Sequence, residues 1–203
     1  MSTAQAIAKA YPKAGLPLAK EIVSVAKRTG AHPYDLANLI NFESAGTFKS
    51  DVKNPISGAT GLIQFMPKTA IGLGTTTDKL AQLSPVAQMK WVEKYLNQFS
   101  APKGTVQGLY MSVFYPKAMR WELDREFPKI VQRSNPGIKT VRDYIAIATR
   151  NAKLPSSKDV GVAKLESLPF AITRKAAVAV PLWVWVTTAV GIGTALVLLI
   201  RRK

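Results

Sequence analysis

Apolar residues recur at helical spacing through most of the chain. Between residues 16 and 29, Leu18, Ile22, Val25 and Ala26 share one face while Lys20, Lys27 and Arg28 line another, which predicts an amphipathic helix stopped by Gly30. Residues 33–44 predict a second helix, with Pro33 in its first turn, Leu36, Leu39 and Ile40 as its apolar positions and Gly46 just past its end. A loop follows over residues 47–60, then a short helix over 67–73 closed by Gly74. Ser84 and Pro85 pair a capping residue with a proline at the first helical position, and Met89, Val92, Leu96 and Phe99 form the stripe behind them. Residues 105–115 and 118–127 predict two more helices. Thr140 with Asp143 three residues on makes a box-like start to a helix over 140–151, striped by Val141, Tyr144, Ile145 and Ala148. No region sustains strand-like alternation. The expected fold class is all-α: one helical domain over residues 1–152, its packed part beginning near residue 10.

The pattern then changes. Residues 153–175 read as a linker, and residues 176–200, "AAVAVPLWVWVTTAVGIGTALVLLI", hold no charge. At ~1.5 Å per residue that run reaches about 37 Å, enough to cross a hydrocarbon core of ~30 Å with some tilt. Trp183 and Trp185 sit near its start, where indoles favour the lipid–water boundary, and basic residues bracket it. The expectation is one C-terminal transmembrane helix followed by a basic tail over residues 201–203. The N-terminus lacks the apolar core and cleavage site of a secretory signal peptide.

Charge and composition narrow the chemistry. The chain carries a net charge of +16, and the residues before position 171 hold 23 of the basic residues and all 12 acids, a net +11. Such a surface favours polyanions, among them an anionic cell wall. The charge is spread, without a dense basic tract, so nucleic acid is not specifically indicated. There is no cysteine, which excludes disulfides and thiolate metal sites, and the single histidine, His32, cannot build a histidine-rich one. No metal or cofactor is expected.

Glu43 stands immediately before a loop rich in Gly, Ser and Pro. In the last turn of its helix, the negative end of the helix dipole disfavours the ionised form, and Phe42 and Phe48 are placed to add apolar shielding. A glutamic acid with a raised pKa is a general acid suited to neutral pH. An ordinary glycosidase would need a second carboxylate, and the only one nearby is Asp51.

"ESAG" at 43–46, "SGATGLIQF" at 57–65 and "MPKTA" at 66–70 together resemble the soluble-lytic-transglycosylase, or goose-lysozyme-like, family, over roughly residues 15–120. The resemblance implies a lysozyme-like helical fold and cleavage of the MurNAc–GlcNAc bond of peptidoglycan. It makes Glu43 both acid and base, with the sugar's own C6 hydroxyl as nucleophile and a 1,6-anhydro product. It assigns substrate contacts to Ser44 and Gln64, and to Gly58 and Gly61 the sharp turns that let a glycan approach the main chain. Bacterial members usually carry a later tyrosine in an Ala-Tyr-Asn-Ala-Gly-like segment. Here the corresponding "GLYMSVFYP" offers Tyr110 and Tyr115 without Asn-Ala-Gly, Tyr110 being favoured, and it resembles the phage-borne members more closely.

A catalytic head with a C-terminal span suits a phage virion protein. It would sit in an internal membrane or the capsid interior, reach the host envelope, and open peptidoglycan for genome entry. Its partners would be glycan strands, a membrane, and other virion membrane or ejection proteins. Two alternatives stay open: a structural membrane or ejection-channel protein that uses the fold to bind the wall, and a water-using lysozyme with Asp51 as base.

Overall fold

A computed structural model describes residues 1–157, and these are helical with no named strands. The predicted span over residues 176–200, the basic tail and most of the predicted linker lie outside the described residues. Among the described residues, no helix is long and apolar enough to cross a membrane.

The helices are α1 (Thr3–Ala10), α2 (Gly15–Thr29), α3 (Pro33–Glu43), α4 (Pro67–Gly72), α5 (Thr77–Ala81), α6 (Pro85–Leu96), α7 (Val106–Phe114), α8 (Lys129–Ser134) and α9 (Val141–Thr149). Their starts follow local chemistry. The hydroxyls of Ser84, Thr105 and Thr140 each accept from the backbone N–H three residues on, and Thr140 with Asp143 closes a full capping box. Gly30 ends α2 in the left-handed conformation.

Two expectations are corrected. The helix anticipated over residues 118–127 does not form. After a single tight turn, Pro116–Ala118, the backbone makes only isolated turns and pairs otherwise with a later segment. The N–H of Phe127 donates to the Lys139 carbonyl at 2.8 Å, and that of Arg142 to Leu123 at 2.9 Å. Trp121 and Phe127 join an aromatic cluster with Tyr115, a tertiary preference that overrides helical propensity. Packing also begins earlier than residue 10. Ser2 and Gln5 form a capping box on α1, whose Ala4 and Ile7 are buried. The short α5 and α8 are further additions.

Helix α3 occupies the centre. It packs against α1, α2, α7 and α9, and α2 in turn packs against α1 and α6. Leu36, Ala37, Leu39 and Ile40 of α3 are fully buried together with Ile22 of α2, Leu109 and Tyr110 of α7 and Ile145 of α9. The central helix therefore delivers its last residue, Glu43, from a rigid support. Residues 153–157, read as the start of a linker, lie against this domain, and Leu154 is buried.

Candidate active site

Glu43 is the final residue of α3. Here the last carbonyls of the helix present partial negative charge, which disfavours a carboxylate. The residue keeps part of its surface open to solvent, while its carboxyl is closely surrounded by protein. Burial pushes that carboxyl from 4.5 up to about 8, opposed by the hydroxyl of Tyr144, which donates to Oε1 at 3.4 Å. No cation among the described residues forms an ion pair with it. The acid is thus mostly protonated at pH 7, because burial of the charge outweighs the single Tyr144 hydrogen bond and no ion pair offsets it.

Three tyrosines neighbour it. Tyr144, on α9, is buried and stacks on Phe114 with ring centroids 4.0 Å apart, which fixes its hydroxyl. Tyr95 and Tyr110 are held neutral chiefly by burial, and the Glu43 charge acts on both in the same direction. The Tyr95 hydroxyl donates to the Ser112 carbonyl at 2.6 Å. Tyr110, the tyrosine favoured from sequence, is therefore a neighbour of Glu43, but the hydrogen bond to its carboxyl comes from Tyr144. Tyr115 packs edge-on against Trp121 and Phe127. Tyr144 has an apolar stripe position on α9, so its sequence context signals core packing alone.

The turn after Glu43 is tightly wound. Ala45 (φ 52°), Gly46 (φ 71°) and Phe48 (φ 56°) all adopt left-handed backbone. That conformation is uncommon for a bulky side chain. It is held by the Ser44 hydroxyl, which accepts from the Phe48 N–H at 3.1 Å, and by burial of the Phe48 ring. Ser44 is itself fully buried. Its oxygen acts on the loop, so the structure gives it a role in shaping the turn beside the acid.

The Gly-rich loop folds back on itself through antiparallel bridges, Lys53 with Thr60 and Thr60 with Phe65. Gln64 also has left-handed backbone (φ 53°), and its Nε2 donates to the carbonyls of Val52 and Gly61, both at 3.1 Å. Its amide donor is thus committed to the loop. Gly61 has φ 87°, and a Cβ there would lie 2.3 Å from Oε1 of Gln88, so a larger residue would strain the backbone and push the Gln88 amide from its hydrogen bonds. Gly58, at φ 71°, turns the chain beside Pro67.

Gln88 was not anticipated as a functional residue. It is fully buried on α6, where it accepts from Leu62 N–H at 2.7 Å and donates to the carbonyls of Ser50 at 3.0 Å and Leu80 at 2.9 Å. It pins both ends of the loop to the domain. A glutamine inside an otherwise apolar helical stripe was the available signal. Asp51 is exposed in the turn before the bridges. Chemically, the arrangement offers one dischargeable proton on a rigidly mounted carboxyl, a phenol beside it, and a backbone-rich loop.

Compared with protein-family models, with curated proteins and with solved structures, the chain matches none.

Proposed function

We propose that this protein is a peptidoglycan lytic transglycosylase with Glu43 as its acid and base. The observation that carries the reading is a carboxyl closely surrounded by protein, whose pKa burial raises to about 8 so that it is mostly protonated at pH 7, with no ion pair to it among the described residues. The resemblance of residues 43–46, 57–65 and 66–70 to that family supplies the substrate class.

In the proposed reaction, Glu43 gives its proton to the glycosidic oxygen as the C1–O bond breaks. The resulting carboxylate takes the proton of the same sugar's C6 hydroxyl, and O6 closes on C1 to leave the 1,6-anhydro end. Glu43 finishes protonated, and no water is consumed. One carboxyl suffices because the nucleophile is tethered to the substrate, which gives it high effective concentration. Tyr144 is placed to steady the carboxylate between the two transfers, since hydrogen bonding favours the ionised form. Under this reading, the span over residues 176–200 anchors a virion protein that acts on the host wall during genome entry. Failure to find the protein in purified particles by mass spectrometry would remove that placement.

The test is digestion of purified peptidoglycan by the full chain in detergent. Soluble 1,6-anhydro muropeptides are expected, and Glu43→Gln should lower their release by about 10²–10⁴-fold, the usual contribution of general acid–base catalysis. Undiminished release by that variant would end the assignment. Reducing ends would favour the water-using lysozyme, and binding without release the wall-binding scaffold.

A further inference from the structure

Residues 153–157 follow α9 and are tied to α3 and Tyr11 across more than a hundred residues of sequence. The Lys153 N–H donates to the Tyr11 hydroxyl oxygen at 2.8 Å, and that hydroxyl donates to Oδ1 of Asn38 at 2.6 Å. Nδ2 of Asn38 donates to the Leu154 carbonyl at 3.0 Å. Both the N–H and the hydroxyl of Ser157 donate to the Asp35 carboxylate, which is fully buried. Nδ1 of His32 lies 3.6 Å from the same carboxylate. Without the strap, a buried carboxylate and a buried amide on the first two turns of α3 would lose partners, which is costly in a medium of low polarity.

A packed path leads from this strap to the acid. The Tyr11 ring rests on Phe48 with centroids 5.2 Å apart. The Phe48 N–H is held by Ser44, the residue after Glu43. On the inner side, the Tyr110 hydroxyl is buried with no hydrogen-bond partner among the described residues; burial chiefly raises its pKa, and Asp35, Tyr11 and Glu43, when ionised, act in the same direction. The two ends of α3 thus share neighbours.

We propose that residues 153–157 are a clasp coupling the C-terminal segment to the acid-bearing helix: docked, it holds Tyr11, Phe48 and α3 in the arrangement that encloses Glu43; released, it opens that enclosure to water. The clasp would let the anchoring of the C-terminal segment bear on the readiness of the acid. It goes beyond the proposed activity, and its test needs no glycan.

The experiment uses the full chain in detergent micelles. Amide hydrogen exchange reports the strap, and carbon-detected NMR follows the Glu43 carboxyl signal through a pH titration, with Glu43→Gln identifying the signal. Ser157→Pro removes both Ser157 donors to Asp35, leaving only that of the Ser156 side chain, and Ser157→Thr keeps them. Ser157→Pro should speed exchange at Lys153 by roughly tenfold or more, as local opening does, while amides of α2 and α6 stay protected. It should also lower the Glu43 titration by about half a pH unit or more, toward the ordinary carboxyl value, as burial is relieved. Ser157→Thr should change neither. If Ser157→Pro does not fold, Tyr11→Phe, which removes the Lys153 acceptor and keeps the ring, is read at the Glu43 titration alone, because the Lys153 N–H loses its partner there whether or not the strap lifts. Free-peptide exchange at Lys153 in the unaltered chain, or a Glu43 titration unmoved when the strap is freed, overturns the proposal.

Discussion

Replacing Glu43 by Gln should make the protein more stable, by an amount that depends on pH. The unfolded chain exposes an ordinary carboxyl that titrates at 4.5, whereas burial in the folded state pushes the same group up to about 8. Below pH 4.5 both states hold the proton, and the group is neutral in each. Between the two values the folded state binds more protons than the unfolded one, so stability falls as pH rises. Above about pH 8 the full penalty of a buried anion is present. At about 1.4 kcal/mol per pH unit, the gap corresponds to about 5 kcal/mol. The partial opening of Glu43 to water reduces this to on the order of 3–5 kcal/mol. The amide is neutral throughout and escapes the penalty. Urea unfolding of both full-length proteins in detergent, followed by aromatic near-ultraviolet signal at pH 4, 6, 7 and 9, measures the difference directly. The two should be nearly equal at pH 4, and the variant should gain steadily to pH 9. A difference that is flat across this range, or that favours the native glutamate at pH 9, would show that the carboxyl is not held as an acid, and the catalytic argument would lose its physical basis.

Other substitutions probe the supports. Gln88→Leu keeps the volume but leaves the Leu62 N–H and the Ser50 carbonyl without their partner, while the Leu80 carbonyl keeps the Leu83 N–H; at about 1–3 kcal/mol for each of the two stranded groups, it should cost about 2–6 kcal/mol in urea unfolding, and a loss below about 0.5 kcal/mol would refute its pinning role. Tyr144→Phe keeps the stack on Phe114 but removes the hydrogen bond that lowers the Glu43 pKa; the Glu43 titration should rise by up to about one pH unit, and a fall would contradict the assignment of donor and acceptor. Asp51→Asn should leave muropeptide release within about twofold, because the exposed carboxylate has no part in the proposed mechanism, whose nucleophile is the sugar; a loss of about 100-fold would point to water activation instead.

Much of the architecture follows from short-range rules. Capping hydroxyls at Ser84, Thr105 and Thr140 and the stop at Gly30 set helix ends within a residue or two of expectation. The failure over residues 118–127 has the opposite origin. Its apolar residues can satisfy a helical stripe, but the ring partners of Trp121 and Phe127 and the backbone partners at Lys139 and Arg142 are supplied from elsewhere in the chain. The division is similar at the site. The place of Glu43 at a helix end and the turning glycines could be read from local spacing. The roles of Ser44, Gln64 and Gln88 could not, because their amides and hydroxyls bond to backbone groups that only the folded loop brings near.

The order of residues alone determined that the described part of the chain would be helical, where most helices start and stop, and which carboxyl ends the second expected helix, because capping, periodicity and turn chemistry act over a few residues. Only the tertiary structure decided how far burial would raise this carboxyl, that Tyr144 would be its hydrogen-bond donor, and that residues 153–157 would bond to the helix behind it. Burial is a property of everything packed around a group, and the tyrosine that touches Glu43 is 101 residues away along the chain. No local rule can carry that information, since it exists only once α3 and α9 lie side by side.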